Sequence, residues 1–598
     1  MTMTTRRLTL PRPSTRPQPA LIMRKFNPRK LVALTIRRLR SLHLHTLSTL
    51  IILPLSTAAA NDGLATRLEE LLSGSCKAGA PGFSVAVIQH GNPLYEKGFG
   101  LANLEYDIPV TPQTVYHVAS VSKQFTAMAV VLLESDGKLS LEDDLHKYLP
   151  ELPDYGHPLT IRQLLQHTSG IRDQWQTLAL AGWRLDDVIT QEQILRLLFR
   201  QKELNFVPGA RHLYSNGGYT LAAEIVARVS GKSFPDFCRD RIFQPLGLTR
   251  THFHIDHRAI VHDRAYSYSK HANGYEAEPL NYANAGATSL FTTAPELARW
   301  LDNFREPKVG GRRATERLQE QAILADGSKI DYALGLAIGS RHGLKTVSHG
   351  GGDAGYRSFV VWFPEQELGV AVLSGLASFD CGGTAFKVAD SILGKKPVEE
   401  TKTPTPPADQ KKRDYVKLDS RVFKQYSGAY KLDAGLTANF YEKEGRFMAE
   451  IPGQGTVELH ALGTNRFLVE MPSGELEFSP QKDGAMRLKF SHEGGGTVSG
   501  DRFANDPWKP KDLEAFQGVY WSDELETEYT VKLNDGKLTA EHIRHGSVEL
   551  LPTMPDQFAT HTWFMPEVKF QREQSGKVSG MTLGGGRLTG ILFKRKPG

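Results

Sequence analysis

A serine followed three residues later by a lysine occurs four times in the 598-residue chain; one pair, Ser135-x-x-Lys138, spans the Asp136-Gly137 stop, and each of the other three could combine a hydroxyl nucleophile with an amine base. A serine hydroxyl attacks a carbonyl poorly until a neighbouring base takes its proton. Lysine can be that base once desolvation lowers its pKa towards neutrality. The chain that follows separates the three. Ser267-x-x-Lys270 lies in a polar stretch with no helix after it, and Ser479-x-x-Lys482 contains Pro480 in a predicted turn. Ser120-Val121-Ser122-Lys123 leads into QFTAMAVVLLESDG, an apolar run at helical spacing that stops at Asp136-Gly137. A helix here carries Ser120 and Lys123 one turn apart on one face. Its N-terminus adds backbone donors and a positive field near the attacked carbonyl.

Two other clusters could complete such a site. Tyr214-Ser215-Asn216 follows the Pro208-Gly209 turn and precedes a helical pattern; Tyr282-Ala283-Asn284 is a second Y-x-N, and a buried structural tyrosine is the competing explanation for both. VSHGGGDAGY (347–356) contains His-Gly-Gly-Gly, which is also the oxyanion-hole signature of esterases built on a G-x-S-x-G elbow. No G-x-S-x-G occurs. The nearest miss, Gly82-Phe83-Ser84-Val85-Ala86, sits in a predicted strand and lacks the second glycine. The esterase reading of His349 to Gly352 therefore lacks its nucleophile.

The segments HVASVSKQFTA (117–127), LTIRQLLQHTSGI (159–171), YSNGGYTLAAEI (214–225) and VSHGGGDAGY resemble, in order and spacing, the penicillin-recognising serine hydrolases. That group comprises class C β-lactamases, DD-carboxypeptidases, related esterases and D-aminopeptidases, and the resemblance covers roughly residues 62–395. It implies that Ser120 is acylated, that Lys123 is its base, and that Tyr214 passes the proton to the leaving group. Asn216 would bond the substrate amide or Lys123, and His349 and Gly351 would form the third motif on an active-site strand. The backbone N–H groups of Ser120 and Gly352 would make the oxyanion hole. β-Lactamases usually place lysine where His349 stands, as a fixed cation for the substrate carboxylate. Histidine is fully charged only below a pKa normally near 6.5. The resemblance thus points to a peptidase or amidase on D-amino-acid peptides, of the D-aminopeptidase or DD-carboxypeptidase kind. An esterase on short acyl esters and a non-catalytic wall-sensing or scaffold protein are the alternatives. No cofactor and no metal are implied.

The elements that must position these residues are legible in outline. GFSVAVIQ and PLYEKGFG flank a turn at His90-Gly91-Asn92 and predict a hairpin. Residues 120–300 are mostly helical in pattern, several short strands follow near 335–375, and a helix runs from about Ala385 to Leu393. Strands at both ends predict a sheet assembled from the two termini of one α/β domain, 61–395. A Pro-, Lys- and Glu-rich linker, 396–415, comes next. Beyond it a pattern of short strands occurs twice: YSGAY (426–430) matches FQGVY (516–520), and EGRFMAE (444–450) matches DGKLTAE (535–541). The offset stays at 90 to 92 residues, which predicts two small antiparallel β-barrels, 416–505 and 506–598. The fold class is a β-lactamase/transpeptidase-like domain, an antiparallel sheet with helices, followed by those barrels. Tandem barrels after an S-x-x-K domain resemble the bacterial D-aminopeptidases, which implies that a loop of the last barrel reaches the active site. Residues 553–566 are the candidate tip.

Composition bounds the rest. Residues 1–60 hold eleven Arg and Lys and no acid, which leaves 61 basic against 66 acidic residues in the body. A basic leader on a mildly acidic body argues against a nucleic-acid partner. Leu47 to Leu55 is apolar but broken by Pro54, too short to span a membrane. Ala58-Ala59-Ala60 fits a signal-peptide cleavage site, so export to the periplasm or outside is expected, with Asn61 as the mature start. Met23 is a second candidate start, and Arg37-Arg38 hints at twin-arginine export. Cys76, Cys238 and Cys381 are too few for a disulfide framework, and at most one bridge is expected.

Overall fold

The computed structural model describes residues 55–395 and 415–597, apart from 433–436, 452–454, 470–473, 482–484, 493–496 and 504–509. The leader up to residue 54 and the linker from 396 to 414 lie outside the described residues.

Side-chain alternation builds the central sheet from both ends of the α/β region. Six antiparallel strands lie in the order 337–341, 344–353, 356–363, 368–374, 83–89, 92–99, so Phe83–Gln89 pairs directly with Leu368–Ser374. Successive side chains on a strand point to opposite faces. Val85 and Val87 meet Leu68, Leu72, Ala385 and Val388 on one face. Ala86 and Ile88 turn to the other face and join the large core under the helices. With both faces covered, the middle strands lose polar alternation: all seven residues of Leu368–Ser374 are buried. The covering helices are Leu55–Ser73 and Cys381–Ile392, the second starting four residues before the Ala385 that the sequence pattern indicates.

The helical half surrounds the helix Lys123–Ser135, whose first eleven residues are all buried. Such a helix shows no polar stripe, because it is packed on every side. Helix Asn216–Ser230 lies against it, and Thr126 Oγ1 donates to the Gly286 carbonyl at 2.7 Å. Cys76, Cys238 and Cys381 are all free thiols. Among the described residues no helix is long and apolar enough to cross a membrane.

Two closed eight-stranded antiparallel barrels follow, the first built from strands between Gly428 and Phe503 and the second from strands between Gly518 and Arg595. The sequence repeat is carried into hydrogen bonding. Tyr430 Oη donates to the Tyr426 carbonyl at 2.9 Å, and Tyr520 Oη donates to the Phe516 carbonyl at 2.7 Å. The first barrel keeps a separate core. The second is fused to the α/β region, sharing one continuous cluster of buried apolar side chains with it. Polar contacts reinforce that junction: Tyr529 Oη donates to the Leu180 carbonyl at 3.2 Å, and buried Arg172 pairs with buried Glu524 at 2.7 Å.

Candidate active site

Ser120 sits on a tight 3₁₀ turn, Ala119–Ser122, just before the helix that starts at Lys123. The sequence pattern placed both residues on the helix itself. The turn is pinned by Ser122 Oγ, which donates to the Ala119 carbonyl at 2.5 Å and accepts from Leu290 N at 3.2 Å. Ala119 takes a positive φ of 47°, unusual for a residue with a side chain. Of the four turn residues only Ser120 is not buried. The turn thus presents one hydroxyl to a cavity of about 940 Å³.

Lys123 is fully buried beneath that hydroxyl. Its Nζ lies 3.0 Å from Ser120 Oγ, 2.8 Å from Asn216 Oδ1 and 2.8 Å from the Ala287 carbonyl. The amide and backbone oxygens can only accept, so they consume two N–H bonds. A neutral amine has two N–H bonds and one lone pair, and this arrangement leaves the lone pair for the Ser120 proton. Burial lowers the Lys123 pKa to about 7, with Arg587 pushing the same way and Asp173 and Asp353 opposing.

Asn216 is held by Asp173, a residue that motif reasoning missed. Asn216 N and Nδ2 both donate to Asp173 Oδ2, at 2.9 and 2.8 Å. This fixes the amide so that Oδ1 faces Lys123. Asp173 also caps the helix Gln174–Leu180, accepting from Trp175 N at 3.0 Å and Gln176 N at 3.3 Å. Its signal was an N-cap aspartate three residues after the HTSG stretch. Tyr214 lines the cavity, with Lys123 Nζ 4.9 Å from its ring centre. Burial holds its pKa well above the usual range despite a hydrogen bond with Ser120. Tyr214 therefore stays protonated at neutral pH and has a proton it can donate. Tyr282, the rival Y-x-N tyrosine, is buried and donates to Asp353 at the cavity wall.

The strand Leu344–Asp353 forms the opposite wall. Gly351 is where it presses on the turn that carries Ser120. A Cβ there would stand 2.3 Å from Ser358 Oγ and 2.4 Å from the Val118 carbonyl. Gly352 is open by comparison, with Arg357 Nη1 3.5 Å from its Cβ position. His349 is 7% exposed and belongs to a relay of hydrogen bonds. Ser215 N donates to His167 Nδ1 at 3.2 Å, which puts the His167 proton on Nε2, 3.2 Å from Tyr332 Oη. Tyr332 then donates to His349 Nε2 at 3.0 Å, and His349 Nδ1 donates to the Gly350 carbonyl at 2.6 Å. Each contact is satisfied with both imidazoles neutral. Burial and the nearby Lys123 charge lower the His349 pKa to about 4.

The second barrel completes the cavity from two places. Trp563, within the expected segment 553–566, lines it at the mouth. The turn joining strands 578–585 and 588–595 adds Gly586 and Arg587, which the sequence reading did not single out. Gly585 and Gly586 take φ of 94° and 65°, a left-handed turn that suits glycine. Two amides of the α/β region grip it. Gln176 Nε2 donates to the Gly585 carbonyl at 2.7 Å, and Gln176 Oε1 accepts from Arg587 N at 3.0 Å. Asn205 Nδ2 donates to the Arg587 carbonyl at 3.0 Å, and its Oδ1 accepts from Thr589 N at 2.8 Å. The Arg587 guanidinium stands 4.8 Å from the Tyr214 ring centre. The GGGR sequence at a hairpin tip was the available signal.

Fold and cavity together define the class: an S-x-x-K serine hydrolase domain carrying barrel domains. The chain belongs to the Beta-lactamase family, whose sequence profile matches residues 62–380. It is 29% identical over 431 residues to Penicillin-binding protein 4* of Bacillus subtilis, covering 69% of this chain and 93% of that one. It is 24% identical over 541 residues to the D-aminopeptidase of Brucella melitensis, covering 86% of this chain and 96% of the relative. An octameric penicillin-binding protein homologue from Pyrococcus abyssi shares the fold, with a TM-score of 0.52 and 24% identity over 74% of this chain and all of that one.

Proposed function

We propose that the protein hydrolyses peptides or amides of D-amino acids through an acyl-enzyme on Ser120. The observation that carries this is the buried Lys123 amine, whose two N–H bonds are engaged by carbonyl acceptors while its remaining direction meets Ser120 Oγ. Neutral Lys123 takes the Ser120 proton as Oγ attacks the substrate carbonyl. Negative charge develops on the carbonyl oxygen, facing the Ser120 and Gly352 N–H groups, where one donor contributes ~3 kcal/mol in the transition state. Tyr214, protonated and beside Ser120, gives a proton to the leaving amine. Water then attacks the ester, with the same groups acting in reverse. Kinship with a D-aminopeptidase over most of the chain supports the substrate class.

Export through the basic leader, with a body organised as 61–395, 396–415, 416–505 and 506–598, belongs to the same proposal. N-terminal sequencing of the mature protein at Asn61 tests it. The catalytic reading is tested by a fluorophosphonate adduct that disappears in Ser120→Ala, followed by a panel of a D-alanine anilide, an L-alanine anilide, a DD-dipeptide, a chromogenic cephalosporin and a butyrate ester. Preference for the L-anilide would overturn the D-amino-acid assignment. Absence of any Ser120-dependent adduct would favour a wall-sensing or scaffold role.

A further inference from the structure

The active-site strand brings no cation to the cavity. Gly350, Gly351 and Gly352 have no side chains, and His349 is buried with both ring nitrogens engaged in a neutral relay. The cavity nevertheless holds two guanidinium groups, Arg357 and Arg587. Among the described residues neither has a carboxylate partner in an ion pair. Arg357 Nη1 is spent on the Ala354 and Tyr356 carbonyls, at 3.1 and 2.7 Å. Arg587 is anchored through its backbone, by Gln176, Asn205 and the Asp173 N–H, and its exposed side chain rests on the Tyr214 ring beside Ser120.

The acids of the cavity are committed elsewhere. Asp173 accepts four N–H bonds, from Asn216 N and Nδ2, Trp175 N and Gln176 N. Asp353 accepts from Tyr282 Oη and, at 2.8 Å, from Thr288 Oγ1. Burial also raises the Asp353 pKa to about 7. Neither carboxylate is left to pair with a substrate ammonium.

We propose that Arg587, delivered by the second barrel, is the specificity residue that binds a carboxylate on the substrate, so that the preferred D-peptide is one with a free acid rather than one recognised by its amino terminus. This rests on the proposed function and sharpens its substrate class. A guanidinium fork matches a carboxylate bidentately and remains charged at every working pH. The barrel thus supplies the fixed cation that the strand lacks.

Binding separates this from turnover. Calorimetry on the full chain carrying Ser120→Ala, at pH 9 where Lys123 titration contributes nothing, compares N-acetyl-D-alanyl-D-alanine with its C-terminal amide. The free acid is expected to bind on the order of tenfold more tightly. Adding Arg587→Gln should level the two, and Arg587→Lys should restore most of the difference, which a purely structural stacking role would not do. Equal binding of acid and amide, binding of neither, or tighter binding of D-alanyl-D-alanine amide with its free ammonium would overturn the proposal. The catalytic reading fails separately: if the unsubstituted protein forms no Ser120 adduct but the acid preference persists, the recognition stands and the hydrolysis does not.

Discussion

Lys123 is the group on whose protonation the proposed chemistry depends most. Its pKa falls from 10.5 to about 7, a shift worth roughly 5 kcal/mol against the charged form. Burial is the largest cause, Arg587 adds to it, and Asp173 opposes it. If the neutral amine is the base, the second-order rate of Ser120 labelling by a fluorophosphonate follows its neutral fraction. That rate should be about half maximal at pH 7, about one tenth at pH 6 and about one hundredth at pH 5. Two charge variants then move the midpoint in opposite directions. Arg587→Gln removes a cation, so the charged amine is less disfavoured and the midpoint rises. Asp173→Asn removes an anion, so the midpoint falls, while the asparagine oxygen still accepts hydrogen bonds from Asn216. Lys123→Arg keeps a positive charge that does not titrate in this range, and should cut the plateau on the order of 10²–10⁴-fold. A flat wild-type profile between pH 5 and 8, or both charge variants shifting the same way, would refute neutral Lys123 as the base.

Gly351→Ala forces a methyl group into the Val118 carbonyl and Ser358 Oγ, so overpacking of about 1–3 kcal/mol should displace the nucleophile turn and slow Ser120 labelling. Gly352→Ala, with no contact closer than 3.5 Å, should fall well short of that effect in the same assay. Glu524→Ala leaves Arg172 buried without its main partner, a loss of about 3–5 kcal/mol by denaturant unfolding; Arg172→Met with Glu524→Leu should recover most of it. Tyr332→Phe removes the hydroxyl that joins His167 to His349 and should cost about 1–3 kcal/mol in thermal stability, without changing the preference between free acid and amide.

Short-range pattern carried much of this protein. The apolar run after Ser120, the glycines after His349 and the 90-residue echo of YSGAY in FQGVY are local features, each tied to one turn, strand or barrel. They identified an S-x-x-K domain with tandem barrels because helix period, strand alternation and turn chemistry operate over a few residues. They also selected Ser120, Lys123, Tyr214, Asn216 and His349, which the structure gathers around one cavity, with Lys123 buried beneath it. Asp173 and Tyr332 were not legible, because an N-cap aspartate and a buried tyrosine look the same in sequence whether or not a catalytic group lies beyond them.

The charge of the site was decided only by tertiary structure. In sequence His349 reads as a recognition residue whose charge depends on pH. Folding buries it, satisfies both ring nitrogens and beds it near Lys123, so it stays neutral down to about pH 4. Arg587, distant in the chain from every motif residue, arrives on a barrel turn held by Gln176 and Asn205. Periodicity reports which face of an element is buried, and motif spacing reports which residues share a turn. Neither records which distant charge folding will set beside them, because that depends on how whole domains dock.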